Sequence, residues 1–144
     1  MIYLDTSLVV SLYCLDVNSA EAVRLMQLGG QRFLISTLVE LEAVNAFGLK
    51  EFRKEITSRQ AEASLQKFQI AVRSGIYHLH SLPESAFERA RQFSRQLTAR
   101  LGTRTADLLH VAAAMELGAA TLFTFDLQQR KMAEAVGLKL NPLP

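Results

Sequence analysis

Carboxylates are the groups in this chain best placed to do chemistry. Asp5 follows the apolar run Ile2-Tyr3-Leu4 and precedes two hydroxyls, Thr6 and Ser7. An acid at the carboxyl end of a strand is placed to hold a cation, and also to cap a helix. Glu40 lies in Ser36-Thr37-Leu38-Val39-Glu40-Leu41-Glu42. Thr37 and Glu40 have capping-box spacing, yet Glu40 shares a helical stripe with Ala43, Val44 and Phe47. A carboxylate on an apolar stripe needs a partner. Glu42 is its rival on the neighbouring face, with Leu38, Asn45 and Leu49; Glu40 is preferred because it stands nearer the helix start. Asp107 opens an almost wholly apolar stretch, Leu108 to Met115, which reads as a buried helix. Asp126 ends Thr121-Leu122-Phe123-Thr124-Phe125 and again has capping spacing, with Gln129.

Each acid, taken singly, is explained as a cap or, for Asp107, as the partner of Arg104 three residues earlier. Together they ask for more, because four acids on one side of a fold repel one another and resist ionisation. A hard divalent cation prefers carboxylate oxygen and relieves that conflict, and Mg²⁺ keeps waters that can react. Phosphodiester cleavage needs such a water and a neutralised leaving oxygen.

Other polar residues carry weaker signals. His110, three residues after Asp107, shares its face and reads as a packed, hydrogen-bonded histidine. His78 and His80 share one face of a strand and read as an edge or surface pair. Basic residues cluster in Lys50, Arg53, Lys54 and Arg59 and again from Arg89 to Arg104, diluted by glutamates. A basic rim around an acidic, metal-neutralised pocket suits a phosphate backbone. Arg104 is the best single candidate for a phosphate contact.

Short apolar runs at residues 2–4, 33–35, 76–82, 121–125 and 138–140 read as buried strands. Between them lie helices with start signals at Asn18/Glu21, Thr37/Glu40, Thr57/Gln60 and Ser81/Glu84. Stop signals stand at Gly29-Gly30, Gly75, Gly118 and Gly137. Residues 8–15 and 127–136 look like two more helices. The first of these is more apolar than one buried face requires, so part of it suits a dimer or partner-protein surface. Strands alternating with helices predict an α/β sandwich with a mostly parallel sheet, where ligands gather beyond the carboxyl ends of the strands.

The 144 residues are read as a single domain, 1–144, with 49 % apolar residues for its core. A net charge of +2, from 16 Lys and Arg against 14 Asp and Glu, neither demands nor excludes nucleic acid. The single Cys14 cannot form an internal disulfide, and no Cys/His cluster points to zinc. A reducing, cytoplasmic location is expected. No signal peptide or membrane span is read, since no uncharged run approaches roughly 18 residues.

Three stretches resemble the PIN-domain family: Met1 to Val10 around Asp5, Ser36 to Ala43, and Arg104 to Ala119 around Asp107 and His110. Leu122 to Asp126 and Ala133 to Lys139 resemble its fourth motif and last strand. The resemblance covers essentially the whole chain in the right order. It implies a three-layer α/β/α sandwich, Mg²⁺ or Mn²⁺, and cleavage of single-stranded RNA. The compact length resembles the VapC-type toxins, which pair with a small antitoxin and often form homodimers. By the same resemblance Asp5, Glu40, Asp107 and Asp126 are metal ligands, with Thr6, Ser7 and Thr124 as hydroxyls that orient them.

Three other readings compete. A haloacid-dehalogenase-like phosphatase wants a second acid two residues after the first, where Ser7 stands. A response-regulator receiver wants adjacent acids after the first strand, and Asp5 has no acidic neighbour. A catalytically silent PIN fold kept for protein binding would not need all four acids.

Overall fold

The structure is a computed structural model that describes residues 1–28 and 30–142. Five strands form one sheet: β1 (Ile2–Leu4), β2 (Phe33–Ser36), β3 (Tyr77–His80), β4 (Thr121–Phe123) and β5 (Lys139–Leu140). All neighbours are parallel and the order is β3-β2-β1-β4-β5. The alternation of apolar runs and helical stretches predicts this arrangement, because parallel neighbours need a crossover between them.

Among the described residues eight α-helices connect the strands: α1 (Thr6–Tyr13), α2 (Ser19–Met26), α3 (Thr37–Phe52), α4 (Ser58–Arg73), α5 (Glu84–Phe93), α6 (Ala99–Leu101), α7 (Thr105–Glu116) and α8 (Leu127–Ala135). A π-helical turn, Ser94–Thr98, joins α5 to α6. From β1 the chain steps through β2 to β3, then returns past β1 to β4 and β5. Right-handed crossovers in opposite directions place their helices on opposite faces. Accordingly α1 to α4 pack with one another, and α5, α7 and α8 pack as a second group. The direction reverses between β1 and β4, and a crevice opens there beyond the strand ends.

The core is one apolar cluster running from Ile2 to Ala133. Helix α7 is buried nearly all round, through Leu108, Val111, Ala112, Ala113 and Ala114, as its composition predicts. The first helix spends its apolar side chains mostly on the core, with Leu8 and Val9 buried and Val10, Leu12 and Tyr13 packed against them. His78 and His80 are exposed on the edge strand β3. Among the described residues no helix is long and apolar enough to cross a membrane.

Several boundaries differ from the sequence expectation. The strand expected at 121–125 ends at Phe123. There the backbone N–H of Thr124 turns to Asn141 Oδ1 (2.9 Å) and that of Phe125 to Ser7 Oγ (2.9 Å), so side chains take over from the ladder. The strand expected at 76–82 is confined to Tyr77–His80. Of the four expected capping boxes, only Thr57/Gln60 forms in full. Asn18 caps α2 without a side-chain bond. Helix α5 is capped by Pro83 rather than Ser81. Helix α3 is capped by Ser36, the last residue of β2, and Thr37 Oγ1 instead accepts from the N–H of Leu82 (3.0 Å). Gly29, expected to help end α2, lies outside the described residues.

Candidate active site

The carboxyl ends of β1 and β4, the middle of α3 and the start of α7 enclose one cleft of about 330 Å³. Asp5, Glu42, Asp107 and Asp126 line it, with Thr6, Ser7, Asn45, Arg104, His110 and Gln129.

Asp5 sits directly after central strand β1 and is only 1 % exposed. It caps α1: its Oδ1 accepts from the N–H of Leu8 (3.1 Å) and from Ser7 Oγ (2.7 Å). Its Oδ2 accepts from Thr124 Oγ1 (2.7 Å). Both hydroxyls accept in turn from the turn after β4, Ser7 from the N–H of Phe125 (2.9 Å) and Thr124 from that of Asp126 (3.0 Å). Each hydroxyl proton is thereby aimed at Asp5. Burial nevertheless pushes the Asp5 carboxyl above the usual carboxylate range, against these bonds and the pull of His110. A buried, fully oriented carboxylate of this kind favours a nearby cation.

Asp107 stands in the first turn of α7, also 1 % exposed. Arg104 wraps it: backbone N–H and Nε donate to Oδ2 (2.9 and 3.1 Å), and Nη2 donates to Oδ1 (3.1 Å). Asp126 caps α8 with Oδ1, which accepts from the N–H groups of Gln128 (2.8 Å) and Gln129 (3.0 Å). Its Oδ2 accepts from Arg104 Nη2 (3.0 Å), so one guanidinium bridges both acids. Arg104 is delivered by the tight turn after α6, where Gly102 adopts φ +65°, a left-handed conformation that a side chain disfavours.

The second acid of the cleft is Glu42, not Glu40. Glu42 Oε2 accepts from Thr6 Oγ1 (2.5 Å) and faces His110 Nε2 (2.5 Å). Burial opposes its ionisation, but the bond and charge of His110, the bond from Thr6 and the charge of Arg104 outweigh that and hold the carboxyl below its usual range. Glu40 does not line the cleft. Residues two apart on an α-helix point roughly 200° apart, so only one of the pair can face it. The helix buries Val39, Ala43 and Phe47, which turns Glu42, Asn45, Ala46 and Leu49 to the cleft and Glu40 away. Rotation about the helix axis, not distance from the helix start, decides which of the two faces the cleft, and the buried stripe fixes it.

His110 is the other residue the sequence undervalues. It is a packed, hydrogen-bonded histidine as expected, yet it also lines the cleft and touches an acid there. The spacing Asp107-x-x-His110 was the available signal.

The donors suit a hard divalent cation: four carboxylates around one cleft and no thiolate. Among the described residues no three His, Cys, Asp or Glu side chains already surround one point. The Arg104 guanidinium lies between Asp107 and Asp126, a cation standing in where these oxygens require one. At the cleft wall Gln129 Oε1 is buried with no partner among the described residues. The residues therefore fit a metal once Arg104 yields its place.

Known structures share this architecture. The toxin VapC20 of Mycobacterium tuberculosis, described as cleaving the sarcin–ricin loop, superposes with a TM-score of 0.70 at 21 % identity, over 96 % of each chain. FitAcB from Neisseria gonorrhoeae gives 0.73 at 16 % identity, over 99 % of this chain and 97 % of the other. VapBC2 from Rickettsia felis, bound to a promoter DNA fragment, gives 0.67 at 18 % identity, over 98 % of each. At these identities the likeness is one of fold. A comparison with curated proteins found no significant relative. The family model of the PIN domain matches residues 2–135, and by that match the chain belongs to the PIN-domain family.

Proposed function

We propose that this chain is a divalent-metal-dependent endoribonuclease that cleaves single-stranded RNA, acting as the toxin of a toxin–antitoxin pair. The observation that carries this reading is the meeting of Asp5, Glu42, Asp107 and Asp126 at one cleft, around a guanidinium that already fills a cation's place. Mg²⁺ or Mn²⁺ suits these donors, and when bound it supplies an activated water and offsets charge on the leaving oxygen. Asp5 is the fixed ligand, oriented by Ser7, Thr124 and the start of α1. Thr6 orients Glu42 in the same way. Asp107 and Asp126 have oxygens that Arg104 now takes, so Arg104 is the residue that gives way. Its side chain is 68 % exposed, free to turn to the cleft mouth and pair with an RNA phosphate.

The toxin assignment is supported by the structural neighbours, which include VapC toxins and toxin–antitoxin complexes. An apolar groove lined by Leu12, Tyr13, Val23, Met26, Ile76 and Tyr77 is the surface we assign to the antitoxin.

Cleavage of a labelled single-stranded RNA by the purified protein tests the enzyme. We expect activity with Mg²⁺ or Mn²⁺, loss in EDTA, and loss in Asp5→Asn and Glu42→Gln with the fold intact. Asp5→Asn should melt at or above the wild-type temperature without metal, because burial disfavours the Asp5 charge. Glu40→Gln should remain active. EDTA-resistant cleavage would point to a different mechanism, and an inactive Glu40→Gln beside an active Glu42→Gln would reverse the ligand assignment.

A further inference from the structure

The proposed chemistry leaves a buried polar chain unused behind the cleft. Tyr3 and Ser36 are fully buried and His110 is 2 % exposed. The Tyr3 hydroxyl lies 2.7 Å from Ser36 Oγ and 3.3 Å from His110 Nδ1. His110 Nε2 lies 2.5 Å from Glu42 Oε2. One line of contacts thus joins β2, β1, α7 and α3, through residues distant in sequence.

The hydrogens along this line follow from chemistry. A carboxylate only accepts, so His110 Nε2 carries the proton and donates to Glu42. The Tyr3 hydroxyl both donates and accepts, so it meets Nδ1 in either protonation state of the ring. Tyr3 therefore holds the imidazole from behind while its ring meets the His110 ring edge-on, 6.1 Å between centroids. Both bonds to Glu42, from Thr6 and from His110, fall on Oε2. That leaves Oε1 as the oxygen with capacity for a cation. A glutamate on a half-exposed helix face otherwise has three freely rotating torsions.

We propose that His110 is a positioning residue for Glu42, its Nε2–H clamped from behind by Tyr3 and Ser36 so that the carboxylate presents Oε1 to the metal. This rests on the metal reading of the cleft given above. His110 is not a catalytic residue: it is buried and both ring nitrogens are engaged, so it acts only through Glu42. A role in packing alone would leave metal affinity untouched, and that separates the two.

The experiment is calorimetric titration with Mn²⁺ alone, beside thermal melting in EDTA. His110→Met keeps apolar volume and removes the donor; Mn²⁺ affinity should fall about tenfold, as is usual when a residue orienting a metal ligand is lost. His110→Gln places an amide N–H near the Nε2 position and should restore most of the affinity. Tyr3→Phe deletes one oxygen, keeps the ring, and should weaken Mn²⁺ binding by about threefold, a fraction of that effect because the imidazole stays in place. In a Glu42→Gln background His110→Met should add no further loss, because the two act as a unit. Equal Mn²⁺ affinity in wild type and His110→Met, or in Tyr3→Phe should His110→Met not fold, overturns the proposal, as does additivity in the double variant. A wild type that binds no Mn²⁺ would sink the metal reading and this role together, whereas wild-type binding that His110→Met leaves intact sinks this role alone.

Discussion

Arg104 gives the cleft its present balance of charge. Asp107 is buried, and an isolated buried carboxylate is costly. Arg104 meets it through three donors, two from the guanidinium and one from the backbone, and reaches Asp126 with the same Nη2. Removing it should have two opposite effects. In Arg104→Met the metal-free protein should lose on the order of 1 kcal/mol, less than for a fully buried pair because the Arg104 side chain is mostly exposed. Mn²⁺ affinity should rise severalfold, because no intramolecular cation competes for Asp107 and Asp126. Arg104→Lys should fall between, since an ammonium lacks the fork that spans two carboxylates. Thermal melting in EDTA and Mn²⁺ titration read both effects; unchanged affinity in Arg104→Met would mean that metal and guanidinium do not share a place. The same residue-scale logic marks what sequence could tell. Asp5, Asp107 and Asp126 were legible because each lies where a strand ends or a helix begins. The choice between Glu40 and Glu42 was not, because it depends on how α3 rolls against β2.

At the scale of elements, the turn after β4 does more than end a strand. Asn141, buried beyond β5, accepts through Oδ1 from the N–H of Thr124 (2.9 Å) and from Arg130 Nη1 (3.1 Å). Arg130 also donates through Nη2 to the Asn141 carbonyl (3.0 Å). Helix α8 and the tail thus hold Thr124 in place, and Thr124 holds Asp5. Nothing in the local sequence points to this, because an asparagine before a proline carries only a turn signal. Asn141→Ala strands the buried N–H of Thr124, worth about 1–3 kcal/mol of lost solvation, and leaves Arg130 Nη1 only the Thr124 carbonyl as acceptor. We expect a lower urea midpoint with an unchanged slope, and weaker Mn²⁺ binding through the loosened Thr124–Asp5 contact. A variant that loses stability while binding Mn²⁺ as wild type would show that the tail supports the fold without supporting the site. Helix α3 illustrates the opposite case. Its expected capping box does not form, yet the helix begins where the sequence places it, because the apolar stripe behind a helix involves many residues and its cap few.

For the molecule as a whole, the sheet order places the central strand β1 and its neighbour β4 at the point where the connections reverse, and the acids follow from that topology. Assembly is a separate matter, and α3 is where it is most exposed. One face of this helix is buried, through Val39, Ala43 and Phe47; a second faces the cleft, through Glu42, Asn45 and Leu49. The third carries Leu41, Val44, Gly48 and Phe52, with Phe52 83 % and Leu41 67 % exposed. These four positions fall within one arc at 3.6 residues per turn, and Gly48 adds no side chain to hold a neighbour off. An exposed apolar stripe of this kind on a helix suits a covering partner. A second copy of the chain is the partner that the expected homodimer supplies, and a two-fold contact would use the face twice. Burying a phenylalanine contributes roughly 1.5–3 kcal/mol, so two per dimer make Phe52→Ser a strong perturbation. Size-exclusion chromatography with light scattering should find the wild type dimeric at micromolar concentration, and Phe52→Ser dissociating at concentrations at least about tenfold higher, since each 1.4 kcal/mol is tenfold. Mn²⁺ binding should persist in that variant, because the cleft lies on another face of α3. A wild type that is monomeric at every concentration, or a dimer indifferent to Phe52→Ser, would show that this face does not hold a second copy.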